Sequence, residues 1–241
     1  MTCEKLKLLQ LNIEQNKHFD RILPFLSELK PDVVCLQELR EPDIPRIAET
    51  LGAEHFFIPM MRRVRNEVGT PEGIAIFSRL PVQHKYATYY AGTGEIVDFD
   101  LKRKRDTQSY GVAVCEVNKN GVIFKIATTH FTWTPDGQPS EDQRKDMKAL
   151  LAVLQTLDDV VISGDFNAPR GGEMFAQLAE RFKDNVPSHY VSSLDRNIHP
   201  AGHLDRMVDG IFSTNGYEVS NVVMIDGLSD HCALVAEITK N

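Results

Sequence analysis

The chain has 241 residues, 42% of them hydrophobic and 25% charged, which excludes a disordered or fibrous protein. Lys plus Arg total 27 against 34 Asp plus Glu, a formal net charge of -7, so diffuse capture of long nucleic acid or an anionic membrane is disfavoured. A local basic patch or a bound cation is still able to hold a phosphate.

No run approaches the ~18 apolar residues of a membrane span, so no membrane insertion is expected. The N-terminal MTCEKLKLLQLN lacks the apolar core and small-residue cleavage site of a signal peptide. Cys3, Cys35, Cys115 and Cys232 are scattered and form no CxxC pair, which reads as buried thiols in a reducing, cytoplasmic setting.

In chain order, Leu6 to Ile13 is a predicted strand. Phe19, Ile22, Leu23, Leu26 and Leu29 then fall at helical spacing within Lys17 to Leu29, with Pro24 the one residue against a helix. Val33 to Leu36 and Gly73 to Phe77 are short apolar strands, the second followed by a turn at Arg79-Leu80-Pro81. Tyr110 to Val117 and Val122 to Thr129 flank Asn118-Lys119-Asn120-Gly121, a hairpin signal because Asn and Gly tolerate positive φ. Ser140 and Gln143 suggest a capping box ahead of a helix whose stripe is Met147, Leu150, Leu151, Leu154 and Leu157. Val160 to Ile162 is strand-like, and Glu173 to Arg181 is a short helix. Met207 to Phe212, Val219 to Ile225 and Cys232 to Ile238 close the chain as strands. No linker or repeat divides residues 1–241, so one layered α/β domain is expected, and the hairpin argues against a purely parallel sheet.

The informative polar residues stand at predicted strand ends. Asn12 closes LQLN, Glu38 closes DVVCLQE, and His130 follows IATT. Asp165 and Asn167 lie in GDFN, Asp209 in RMVDGIF, and Asp230 and His231 in SDH. A buried polar group needs a partner, so convergence of these ends makes a cluster of carboxylates, amides and imidazoles. That inventory suits Mg²⁺ or Mn²⁺, hard cations that prefer oxygen ligands, with Glu38 as principal ligand and Asn12 adding an amide oxygen. Asp165 can accept a proton from water, Asn167 and His130 can donate to phosphate oxygens, and His231 can be polarised by Asp209. Asp230 is a candidate for a second metal or an outer water. The serines do not form a GxSxG elbow.

In this order, LN12, PDVVCLQE38, EGIAIFSRLP, TTH130F, GD165FN167, VD209GIF and SD230H231 resemble the endonuclease/exonuclease/phosphatase superfamily, which includes DNase I-like enzymes. The resemblance spans nearly the whole chain. It implies a two-sheet mixed β-sandwich flanked by helices, with the active site at one edge. It also implies a metal site at Asn12 and Glu38, an extra acidic site at Asp230 and a phosphate contact at His130. Asp165 and Asn167 match the nucleophile-orienting pair, and Asp209 and His231 the paired acid and imidazole. The strand around Asp209 departs from the family pattern, with Met207 and Gly210 replacing an Arg and an aromatic. Asp205 is the alternative partner for His231, of the same strand parity. The GIF that follows Asp209 favours Asp209.

The leading expectation is a Mg²⁺-dependent phosphodiester hydrolase, a nuclease on short or locally exposed strands being one form of it. A phosphomonoesterase for a small metabolite or lipid headgroup is the second, and a noncatalytic phosphate-binding or interaction module the third. No obligate protein partner is expected. Arg62, Arg63 and Arg65, and Lys102, Arg103, Lys104 and Arg105, form two basic runs that either touch substrate phosphates or are solvated loops. Arg62, Arg63, Trp133 and Arg196 are the candidate substrate contacts, Trp133 as a cleft wall or stacking surface and Arg196 from the loop at Ser188 to His203.

Overall fold

Alternation in β1 (Lys5–Asn12) sets the architecture. Leu6 and Leu8 join one buried cluster, while Leu9 and Leu11 join another on the opposite face. A strand apolar on both faces must be covered twice. One face of β1 meets a second sheet, and the other meets helices.

The computed structural model describes residues 4–241. Its first sheet takes in β1, β2 (Val33–Arg40), β3 (Glu54–Arg65), β4 (Val68–Ser78), β11 (Tyr217–Ile225) and β12 (Ala233–Lys240), in the order β11-β12-β1-β2-β4-β3. The second takes in β5 (Val82–Ala91), β6 (Tyr110–Lys119), β7 (Val122–His130), β8 (Val161–Asp165), β9 (Lys183–Asp184) and β10 (Asp209–Ser213), in the order β5-β6-β7-β8-β10-β9. The β1–β2 and β7–β8 pairs are parallel and the other pairs antiparallel. The expected two-sheet mixed α/β sandwich is therefore the fold.

Leu8, Cys35 and Ile76 meet Cys115, Phe124, Ile126 and Ile211 between the sheets. Helices α1 (Phe19–Leu29) and α2 (Ile44–Leu51) cover the outer face of the first sheet. Helices α4 (Glu141–Leu154) and α5 (Glu173–Ala179) cover the second, and α3 (Lys104–Thr107) is a single turn in the loop before β6.

Helix α1 starts two residues later than expected and carries Pro24 in its interior. Phe19, Ile22, Leu23 and Leu26 bury one face, and that packing offsets the missing backbone donor. Only half of the capping box forms. Ser140 accepts from the Gln143 N–H at 3.1 Å, but the Gln143 side chain donates to the carbonyls of Thr132 and Asn167. Helix α2 and strands β3, β5 and β9 were not among the expected elements. Arg62, Arg63 and Arg65 lie in β3, not in a loop.

Cys35, Cys115 and Cys232 are buried free thiols, and burial pushes each up to about 12. Cys3 lies outside the described residues. Among those residues no helix is long and apolar enough to cross a membrane.

Candidate active site

The parity that buries Leu6 and Leu8 between the sheets carries Gln10 and Asn12 to the same side farther along β1. In β2 it carries Gln37 after Val33 and Cys35; in β7, Thr128 and His130 after Phe124 and Ile126; in β8, Asp165 after Val161. Asp209 opens β10 two residues before the inward Ile211. The apolar inter-sheet core thus turns polar at one end. Strand register brings its residues together: Asp165 lies opposite His130 in β7 and opposite Asp209 in β10.

A buried amide layer ties the two sheets at this boundary. Gln10 Nε2 donates to Gln37 Oε1 and Asp209 Oδ1, both at 2.9 Å, and Gln37 Nε2 donates to Thr128 Oγ1 at 3.0 Å. Neither glutamine was singled out from sequence, although each sits at the inward parity beside a chosen residue, in LQLN and LQE.

Asp165 Oδ2 is the hub. It accepts from Asn12 Nδ2 at 3.1 Å and lies 3.5 Å from His130 Nε2 and 3.8 Å from His231 Nε2. Its other oxygen accepts the Asn167 backbone N–H at 2.9 Å. Asn167, at φ 47°, spends one side-chain N–H on the Phe131 carbonyl. Gly164 is required because a Cβ there would stand 2.1 Å from the Thr129 carbonyl oxygen, too close for β7 and β8 to pair.

His231 Nδ1 lies 2.8 Å from Asp209 Oδ2, which resolves the choice between the two acids. Asp205 is exposed and sits by His203 at 3.3 Å. Burial opposes charge on His231, but Asp209, Asp165 and Asp230 outweigh it and hold the imidazole well above its ordinary pKa. Asp230 is raised to about 6, chiefly by burial, with Glu14 and Glu38 adding repulsion against the attraction of His231.

Glu38 takes φ 58° at a bulge where β2 slips register against β4 between Leu36 and Leu39. Such a bulge re-aims a side chain, here into the cleft. Glu38 Oε1 accepts from Asn12 Nδ2 at 3.2 Å, and Oε2 has no hydrogen-bond partner among the described residues. Asn12 Oδ1 accepts the Glu14 N–H at 3.2 Å. Asn12 therefore presents its amino group to the two carboxylates and its carbonyl oxygen to the Glu14 N–H. Asp165, Asp209 and His231 also offer ligand atoms within 4.8 Å of one another, but Asp209 is spent on His231 and Gln10. The free Glu38 oxygen, with Asp165 and Asp230 nearby in the same cleft, fits a hard divalent cation in donor chemistry and in charge.

The cleft has a volume of about 410 Å³. Loops at 99–108, 133–137 and 194–206 wall it, and Arg63, Lys104, Trp133 and His199 line it. Arg63 makes a two-pronged pair with the buried Glu72, both contacts at 2.8 Å, and lies over the Phe99 ring. Lys104 sits 5.0 Å from the centre of the half-exposed Trp133 ring. Burial and neighbouring Arg63 lower Lys104 to about 8, against the pull of Asp146 and Glu38. Arg105 is tied instead to the buried Asp146, which anchors this loop on α4. Arg62 pairs with Asp98, and Arg196 lines a separate hollow with His203 and Asp205, so neither lines the cleft.

A sandwich with carboxylates, imidazoles and amides gathered at one end of its core is the architecture of a phosphoesterase fold. The sequence profile described as the Endonuclease/Exonuclease/phosphatase family matches residues 9–231, and the chain belongs to that family, whose members are generally phosphoester hydrolases. A family protein from Beutenbergia cavernae superposes with TM-score 0.74 at 18% identity, covering 98% of this chain and 72% of that one. A mannosyl-6-phosphatase from Bacteroides thetaiotaomicron superposes with TM-score 0.70 at 13% identity, covering 97% and 99%. A Gluconobacter oxydans protein named 3-isopropylmalate dehydrogenase is 29% identical over 178 residues, 70% of this chain. The chain spans 41% of that protein's length.

Proposed function

We propose that this chain is a Mg²⁺-dependent phosphodiester hydrolase, with Mn²⁺ able to substitute, acting on a compact ester or a short, locally exposed nucleic acid strand. The observation that carries this reading is the convergence on Asp165 Oδ2 of Asn12, His130 and His231, with His231 held by Asp209. A dication held by Glu38, and by Asp230 where a second is used, supplies charge withdrawal from the phosphate and stabilisation of the leaving oxygen.

Asp165 orients the attacking water and accepts its proton, since its carboxylate faces the cleft between two imidazoles. Asn167 holds Asp165 through its backbone N–H and keeps a side-chain donor for the phosphate. Protonated His231 donates to a non-bridging phosphate oxygen as negative charge builds at phosphorus, and His130 donates to another through a ring N–H. Arg63 and Trp133 contact the rest of the substrate.

A second reading, a phosphomonoesterase for a small metabolite, is favoured by the loops that wall the cleft on several sides. The mannosyl-6-phosphatase likeness is consistent with it. Assays on abasic DNA, single-stranded DNA and RNA, simple diesters, sugar phosphates and phosphoinositides, each with Mg²⁺, Mn²⁺ or EDTA, separate the two. Diester cleavage that EDTA abolishes supports the first reading. Phosphate release from monoesters alone establishes the second, and binding without turnover on any ester establishes a noncatalytic module.

A further inference from the structure

Beside the catalytic cleft, sharing Arg63 as a wall, lies a hollow of about 140 Å³ lined by Gln15, Arg40, Arg63, Val68 and Thr70. That is several times the ~30 Å³ of a liquid water. Its polar groups are under-satisfied. Gln15 is only 5% exposed, yet its side-chain amide makes no hydrogen bond among the described residues, and its Oε1 is sealed from solvent. Gln15 also stands at φ 65°, directly after Glu14 at φ 44°, a strained pair of non-glycine residues. Arg40 Nε is buried without a hydrogen bond, and its one charge partner among the described residues is Asp43 at 3.4 Å. Arg63 gives Nε and Nη2 to Glu72 and leaves Nη1 without a partner among the described residues.

Two guanidinium groups, the Gln15 side-chain amide and the Thr70 hydroxyl line this small hollow, and Nη1 of Arg63 is uncommitted among the described residues, which gives the hollow a donor-rich wall. Arg40 is two residues along β2 from Glu38, so an occupant sits next to the reacting group. We propose that this hollow binds a second, non-reacting phosphate of the substrate. The inference rests on the phosphoester reading above and narrows it: the substrate carries one phosphate that reacts and another that docks on Arg40, Gln15 and Thr70. A neighbouring phosphate of an oligonucleotide and the second phosphate of a bisphosphorylated metabolite share this chemistry.

The test uses paired substrates differing by one phosphate: a dinucleotide with and without a terminal phosphate, and a sugar bisphosphate with its monophosphate. The wild type is expected to favour the more phosphorylated member of one pair by about tenfold or more in kcat/KM. The pair that shows the preference identifies the source. Arg40→Met and Thr70→Val are expected to erase the preference through KM and to leave kcat/KM on the less phosphorylated member unchanged. Equal losses on both members, or no preference in the wild type, would overturn the subsite. Calorimetry with inorganic phosphate, without turnover, keeps the test independent of activity: one binding event fewer in folded R40M than in wild type supports the subsite, and identical isotherms overturn it. Failure of every ester to react, with that difference intact, would sink the proposed activity and leave the subsite standing.

Discussion

Gln10 donates to Asp209 Oδ1 at 2.9 Å, while the other oxygen of Asp209 holds His231 at 2.8 Å. A buried amide from the first sheet thereby fixes the carboxylate that orients an imidazole beside the second sheet's hub, Asp165. Gln10→Met keeps the volume and removes the donor. It is expected to lower kcat about tenfold or more with little change in KM, as loss of a supporting partner does. Steady-state kinetics, with the His231 imidazole followed by NMR, reads this. An unchanged kcat and an unmoved His231 resonance would show that the contact does not act on the site.

Glu38 has an oxygen uncommitted among the described residues and lines the cleft, held at φ 58° by a bulge. Glu38→Ala is expected to fold, to lose calorimetric Mg²⁺ binding at the cleft and to lose roughly 10²–10⁴ in kcat, in the range of a metal-held or electrostatic contribution. Turnover that persists at saturating Mg²⁺ would remove Glu38 from the metal site.

Lys104 supplies the pH signature. Its pKa falls from 10.5 to about 8 through burial and Arg63. The cleft therefore loses a positive charge as pH rises through about 8, and KM for a phosphate ester is expected to rise there. Lys104→Gln should flatten that limb. The linkage sign is opposite for the fold. Between about 8 and 10.5 the unfolded chain holds a proton that the folded lysine has lost, so this group's contribution to stability improves as pH rises across that window. Urea melts at pH 7.5 and 9.5 on wild type and Lys104→Gln check both effects.

Gly164→Ala places a methyl 2.1 Å from the Thr129 carbonyl oxygen, where β7 and β8 pair. Overpacking of this kind costs about 1–3 kcal/mol, and the displaced strand end carries Asp165. A lower Tm together with reduced kcat is expected. Thermal melts and kinetics that match wild type would mean that the strand pair is more compliant than its geometry implies.

Much of this site was legible because strand parity is a strong signal. Asn12, Asp165 and Asp209 share the inward parity of apolar neighbours, and the family resemblance supplied their order. The GIF after Asp209 favours it over Asp205 in the sequence, and the chain's path gives the reason parity alone does not decide: Asp205 precedes β10, so shared parity has no bearing on it. Gln10 and Gln37 escaped notice because a buried amide layer has no signature distinct from a solvated strand position. Strands β3 and β5 lie at sheet edges, where solvent admits sequences such as RRVR and HKYATYY that lack alternation. Arg62 and Arg196 looked equivalent to Arg63 as charges, yet only Arg63 turns inward, because buried Glu72 holds it.

The most direct test is hydrolysis of phosphodiester substrates by wild type and Asp165→Asn in Mg²⁺, with an EDTA control. Asp165→Asn preserves shape and removes the proton acceptor. The account predicts diester cleavage by wild type, abolition by EDTA, and a fall in kcat of about 10²–10⁴ in a variant with wild-type Tm. Diester cleavage at the wild-type rate by folded Asp165→Asn would contradict it.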